Sequence, residues 1–168
     1  DSSTCNTFTT GAAQTLTFSL GATSLALGTL SSGAVTSGSH TITVGTNATN
    51  GVTVTYSGAT LTYGANTIIA MSTAAASSVG TEQFGINAKD NVTPNVGLEC
   101  SGTPPIAAAA TGYATVDNFK FVSGETIVSS SGSINDTTCT ISYIANITAA
   151  TEAGSYTTTL TYIATGNF

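Results

Sequence analysis

Polar and apolar residues alternate with a period of two along most of this chain, and no stretch repeats its apolar positions at helical spacing. In residues 15–20 (TLTFSL), Leu16, Phe18 and Leu20 fall on one face, with Thr15, Thr17 and Ser19 on the other. Residues 40–46 present Ile42 and Val44 in the same way, and residues 52–56 present Val52, Val54 and Tyr56. The run Thr46-Asn47-Ala48-Thr49-Asn50-Gly51 separates these two, and its Asn-Gly step is a hairpin signal. Further strands are predicted at 59–63, 66–71, 82–87, 95–100, 117–122, 125–130, 139–147 and 155–163. About ten strands with turn chemistry between them point to an all-β fold, a single β-sandwich or jelly roll. Residues 72–80 read as a turn of helix or a loop. Residues 101–114 read as irregular, because Pro104 and Pro105 cannot feed a central ladder.

No linker divides the chain. Residues 1–13 are polar and thinly apolar, an N-terminal arm, and 14–168 form the sandwich domain. The chain's 168 residues are enough to bury a core.

Composition changes the picture from a generic sandwich to an exposed material. Thirty-five Thr and 20 Ser make up about a third of the residues, while only 6% are charged, far below the usual quarter. β-Branched threonine suits the pleat and its hydroxyl tolerates water, so Thr-rich solvent-facing sheets are expected. The only cations are Lys89 and Lys120, and there is no Arg. With a formal net charge of −6, the surface repels phosphate backbones and anionic headgroups, which excludes nucleic acid as a partner. No apolar run is long enough to span a bilayer. The opening Asp1-Ser2-Ser3-Thr4 reads as a mature N-terminus left by signal-peptide removal, implying an extracellular or cell-surface location.

The cysteines, Cys5, Cys100 and Cys139, are too far apart for a zinc knuckle or a redox pair. In an exported protein they predict one intrachain disulfide and one odd thiol. Cys100 with Cys139 is the favoured pairing, since both lie within the folded body, with Cys5 as the odd cysteine. A Cys5–Cys139 bridge is the competitor, and an unpaired Cys5 would be open to a bond with a neighbouring subunit.

Catalytic chemistry has little to work with. His40 is the single histidine, no Gly-x-Ser-x-Gly elbow accompanies it, and no Trp is present to stack a sugar beside a carboxylate pair. The expectation is a non-enzyme without a cofactor. The alternative is a loop-held calcium ion, for which Asp90-Asn91, Asp117-Asn118 and Asn135-Asp136 supply oxygens. Four Asn-x-Thr triplets, at Asn47, Asn91, Asn135 and Asn146, are candidate glycan acceptors.

The run Thr151-Glu152-Ala153-Gly154-Ser155-Tyr156 leading into Thr157–Tyr162 resembles the closing segment of pilin-like sandwiches. The layout from Leu16 to Gly58, with Leu25-Ala26-Leu27-Gly28-Thr29-Leu30 ahead of His40–Val44 and Val52–Gly58, is similar to the spore coat U and archaic chaperone-usher pilin group. Biofilm-fibre proteins and archaeal bundling pili are a looser parallel. The resemblance implies a homopolymer in which one subunit's N-terminal strand completes the sheet of the next. Residues 15–20, through Leu16, Phe18 and Leu20, are the candidate donor strand, and a proline at Phe18 is expected to block it. Low charge and few tryptic sites suit an exposed structural polymer. The function expected is therefore a subunit of an extracellular filament or pilus. A monomeric secreted adhesin or glycan-binding module is the alternative.

Overall fold

The computed structural model describes residues 10–168; Cys5 and most of the N-terminal arm lie outside them. The chain is all-β, with no helix among the described residues. Seven strands of four or more residues build it: β1 (Leu16–Leu20), β2 (Thr36–Thr46), β3 (Val52–Ser57), β4 (Gln83–Asn87), β5 (Thr126–Ser129), β6 (Ile134–Asn146) and β7 (Thr161–Gly166). Several other predicted strands shrink to two-residue ladders, such as Thr62–Tyr63 with Asn66–Thr67 and Asn91–Val92 with Asn95–Val96.

Two antiparallel sheets pack face to face. The first runs β1-β2-β6, with β4 and the short Ser101–Gly102 strand pairing successive parts of the far edge of β6. The second runs from Ala108–Ala109 through β5 and β3 to β7. Their facing residues make one core: Ile42 and Val44 of β2, Val52, Val54 and Tyr56 of β3, Phe84 and Ile86 of β4, Ile127 and Val128 of β5, and Cys139 and Ile141 of β6. Ile127 and Val128 are consecutive yet both fully buried. A register shift between Thr126 and Val128 opposite β3 is the reason, since an extra residue in a bulge breaks the alternation.

The predicted turn between 46 and 52 forms, but it does not make a hairpin. Gly51 N–H donates to the Ala48 carbonyl, and Gly51 adopts a left-handed φ of 80°. A Cβ there would overlap the Ser130 carbonyl. The turn carries the chain from the first sheet into the second, so β2 and β3 belong to different layers. Residues 72–80 contain a short strand, Ala75–Ala76, which with Asn118–Phe119 lies over the outer face of the first sheet. There Met71, Phe119 and Ile144 make a small second core with Val35 and Val96.

The two flanks of the sandwich differ. On the β4 side the edge is closed by backbone hydrogen bonds, Phe84 N–H to Ile69, Met71 N–H to Phe84, and a reciprocal pair between Ile86 and Lys120. On the other side β1 and β7 end their sheets, and among the described residues neither has a second ladder partner.

Candidate functional site

The open flank holds the residues from which function can be built. β1 pairs antiparallel with β2 of its own chain, Leu16 opposite Thr46 through Leu20 opposite Ile42. Its inward row therefore lies beside Ile42 and Val44. Phe18 packs on the core, whereas Leu16 and Leu20 each remain 39% exposed. The start of β1 is held by side chains. Thr15 N–H donates to Asn47 Oδ1 (2.8 Å), Asn47 Nδ2 donates to the Ala13 carbonyl (2.7 Å), and Thr46 Oγ1 donates to the Thr15 carbonyl (2.8 Å). On the outer face Thr17 Oγ1 donates to Asp136 Oδ1 (2.8 Å).

Beyond Leu20 the chain bonds once more, Gly21 N–H to Thr41, and then leaves β2. Residues 22–30 run without ladder pairing along a groove of about 1000 Å³, whose other wall is residues 151–160. Leu61, Phe84, His40, Tyr143 and Tyr162 line it as well. The predicted final strand at 155–163 thus begins only at Thr161, and the residues before it form a wall of this groove.

Three polar side chains in the groove tie the two sheets together. His40 of β2 places Nε2 2.8 Å from Tyr143 Oη of β6, which in turn bonds Tyr162 Oη of β7. His40 Nδ1 lies 3.1 Å from the Thr41 carbonyl, which can only accept, so Nδ1 carries the proton. In the neutral ring Nε2 then accepts from Tyr143, and Tyr143 accepts from Tyr162. Desolvation pushes the His40 pKa below its ordinary value, partly offset by the Thr41 hydrogen bond. Desolvation likewise raises Tyr143 to about 12, against a lowering by its Tyr162 bond, and raises Tyr162 further. The phenols stay neutral at any physiological pH.

A histidine whose folded pKa is depressed stays neutral while the unfolded chain takes up a proton. Stability is therefore complete above about pH 6.5 and falls as the pH drops below that value toward the folded pKa. Thermal melts between pH 8 and pH 5 are expected to show this loss, and His40→Gln to flatten it. An unchanged slope in the variant would remove His40 as the cause.

Cys100 is bonded to Cys139, the favoured of the two pairings. Cys139 is fully buried on β6. The four acceptor asparagines part ways. Asn47 and Asn135 are exposed, although each uses its amide on backbone carbonyls, Asn135 Nδ2 on Thr103 and Pro104. Asn91 and Asn146 are each 1% exposed. Asn91 Nδ2 lies within bonding distance of Asn87 Oδ1 and of the Lys89 and Val96 carbonyls, and Asn146 Nδ2 of Ser77 and Gln83. These two are corrected from acceptors to interior residues, since a glycan on the folded chain would break those bonds and find no room.

The suggested calcium oxygens also serve the protein itself. Asp117 Oδ1 accepts from Val92 and Thr93 N–H, and Asn91 Oδ1 from Asn87 Nδ2 and Asp117 N–H. No group of three or more His, Cys, Asp or Glu side chains placed to hold a metal occurs among the described residues. Among the described residues, no helix is long and apolar enough to cross a membrane.

The sequence put Leu16, Phe18 and Leu20 on one face of a candidate donor strand but gave no role to Leu25, Leu27, Tyr143 or Tyr162. The first two sit in an alternating Leu-Ala-Leu that could have marked them. The tyrosines carry no such signal, because nothing local distinguishes them from other strand aromatics. Comparison of the chain with protein-family models, with curated proteins and with solved structures finds no match.

Proposed function

We propose that the protein is a structural subunit of an extracellular filament, polymerising by donation of its N-terminal strand. The observation that carries this reading is β1: an apolar edge strand on the open flank, half-covered and, among the described residues, bonded to the body along one side only. An uncapped edge of this kind is a template for a further strand. The buried disulfide suits an oxidising compartment, and the scarcity of charge suits association. On this reading the protein is no enzyme, needs no cofactor, and has copies of itself as its partner, with Asn47 and Asn135 as the reachable glycan acceptors.

The strand pairs within its own chain, so the same geometry also serves a self-contained secreted adhesin. Negative-stain electron microscopy of the assembled material, before and after heating in detergent, separates the two. Uniform thin fibres that survive are expected. Monodisperse particles of about 17 kDa, near the 16.6 kDa of one chain, would sink the filament and favour the adhesin.

A further inference from the structure

The inward face of β2 carries large side chains at Val44 and Ile42, then His40, then none at Gly38. That missing volume is filled from the N-terminal segment. A Cβ on Gly38 would lie 3.1 Å from Leu27 Cδ2 and 3.2 Å from Leu25 Cδ1. Leu27 and Leu30 pack against the main core, while Leu25 is 38% exposed at the groove mouth. The segment from Thr15 to Leu30 thus docks in two parts, a ladder on β2 at 16–20 and a leucine plug seated over Gly38.

What joins this segment to the body is weak. Residues 31–34 form an exposed turn closed by Ala34 N–H to the Ser31 carbonyl at 3.5 Å, with Gly33 N–H to Ser31 Oγ at 3.2 Å. Once the β1–β2 ladder and the leucine plug come undone, that turn lets 15–30 swing away as a unit and exposes its seat on β2, the groove and Gly38. A second copy's segment fits that seat with the same contacts, because it is the same sequence. Exchange between copies therefore restores every lost contact, and costs mainly the entropy of association, which high local concentration reduces.

We infer that the subunit is self-capped and that the unit it exchanges with a second copy is Thr15–Leu30, hinged at Ser31–Ala34, with Gly38 as the seat that fixes the register of Leu25 and Leu27. The inference rests on the strand-donation reading and extends it. Leu25 and Leu27 become specificity-determining residues of the donor, and the vacancy at Gly38 becomes the acceptor's part of the fit. A donor slipped by one residue would turn its leucines away from that vacancy.

Mixed assemblies of chains that each carry one added cysteine test it, in a Cys5→Ser background that keeps the Cys100–Cys139 bond. One pair, Ser19→Cys with Thr43→Cys, reports the ladder, since these residues are register partners on the outer face. The other, Leu27→Cys with Gly38→Cys, reports the plug. After oxidation, both mixtures are expected to give cross-linked dimers on non-reducing gels once fibres have grown. Fibres in which the ladder pair cross-links between chains, but the plug pair only within a chain carrying both cysteines, overturn the inference and leave strand donation standing. Fibres with neither cross-link overturn the inference and strand donation, and a parent chain that grows neither fibres nor dimers overturns the filament too. Should Gly38→Cys fail to fold, a benzophenone side chain at position 25 replaces it, in fibres grown from labelled and unlabelled chains. Cross-linked peptides of mixed isotope joining position 25 to β2 support exchange, and only same-isotope peptides refute it.

Discussion

Ser19→Pro is expected to abolish fibre growth while the rest of the sandwich stays folded. The antiparallel ladder between β1 and β2 alternates, and its phase is set by Asn47 N–H donating to Thr15 and Gly21 N–H donating to Thr41. Ladder bonds then fall on Thr17 with Gly45 and on Ser19 with Thr43, whereas Phe18 and Val44 form the non-bonded pair between them. Proline at position 19 removes a bond from the middle of the ladder and puts its ring against β2. One such bond is worth about 0.5–1.5 kcal/mol net, and about 1.4 kcal/mol is tenfold in affinity. A donor strand this short has little to spare. The proline considered from sequence, at Phe18, falls where the N–H faces the open flank, so it leaves the β1–β2 ladder intact and acts mainly through the lost ring. Ser19→Thr is the control, because it keeps the donor and adds only a solvent-facing methyl. Electron microscopy and sedimentation of the variants would decide. Fibres from Ser19→Pro at the rate of the parent chain would end the case for β1 as the donated strand.

Replacing the disulfide is expected to have the largest effect on the folded body. Cys100 and Cys139 are separated by 39 residues, and closing a loop of that size constrains the unfolded chain by about 4 kcal/mol on the chain-entropy account. In a domain of this size that corresponds to a fall in Tm of about 8–16 °C. The bond also anchors the centre of β6, the strand that pairs with β2, β4 and Ser101–Gly102 and so holds the first sheet together. Calorimetry of the Cys100→Ala/Cys139→Ala chain against its parent measures the loss. Cys5→Ser is the companion variant, expected to leave the midpoint in place. A midpoint that falls as far with Cys5→Ser as with the double variant, and stays in place with Cys100→Ala alone, would mean that the native bond is Cys5 to Cys139.

Much of the architecture was legible. Strand residues such as Thr41–Thr46 and Val52–Tyr56 alternate so regularly that the buried face of each can be read off directly, and the core contains their inward side chains as expected. The turn at Ala48–Gly51 was legible too, through the preference of glycine for a left-handed backbone. The predicted hairpin was not found, since turn chemistry specifies a reversal but not whether the chain re-enters the same sheet. Short runs such as 59–63 and 95–100 alternate well enough to suggest full strands, yet form only two-residue ladders or none. Their edges are spent on local turns, and Thr62 also bonds Thr157 across to the groove wall.

That the chain is β-structured, poor in charge, rich in hydroxyls and equipped for a disulfide follows from side-chain chemistry and a period of two alone. Which strands became neighbours was decided only in the tertiary structure. So was the meeting of His40, Tyr143 and Tyr162 across two sheets, the filling of the space at Gly38 by Leu25 and Leu27, and the opening of one flank while the other is sealed. The physical reason is that alternation fixes which face of a strand is buried but says nothing about its partner. Partners are selected by non-local packing and loop closure summed over the whole chain. Residues 40, 143 and 162 share no local pattern, and only the register of β2, β6 and β7 brings them together.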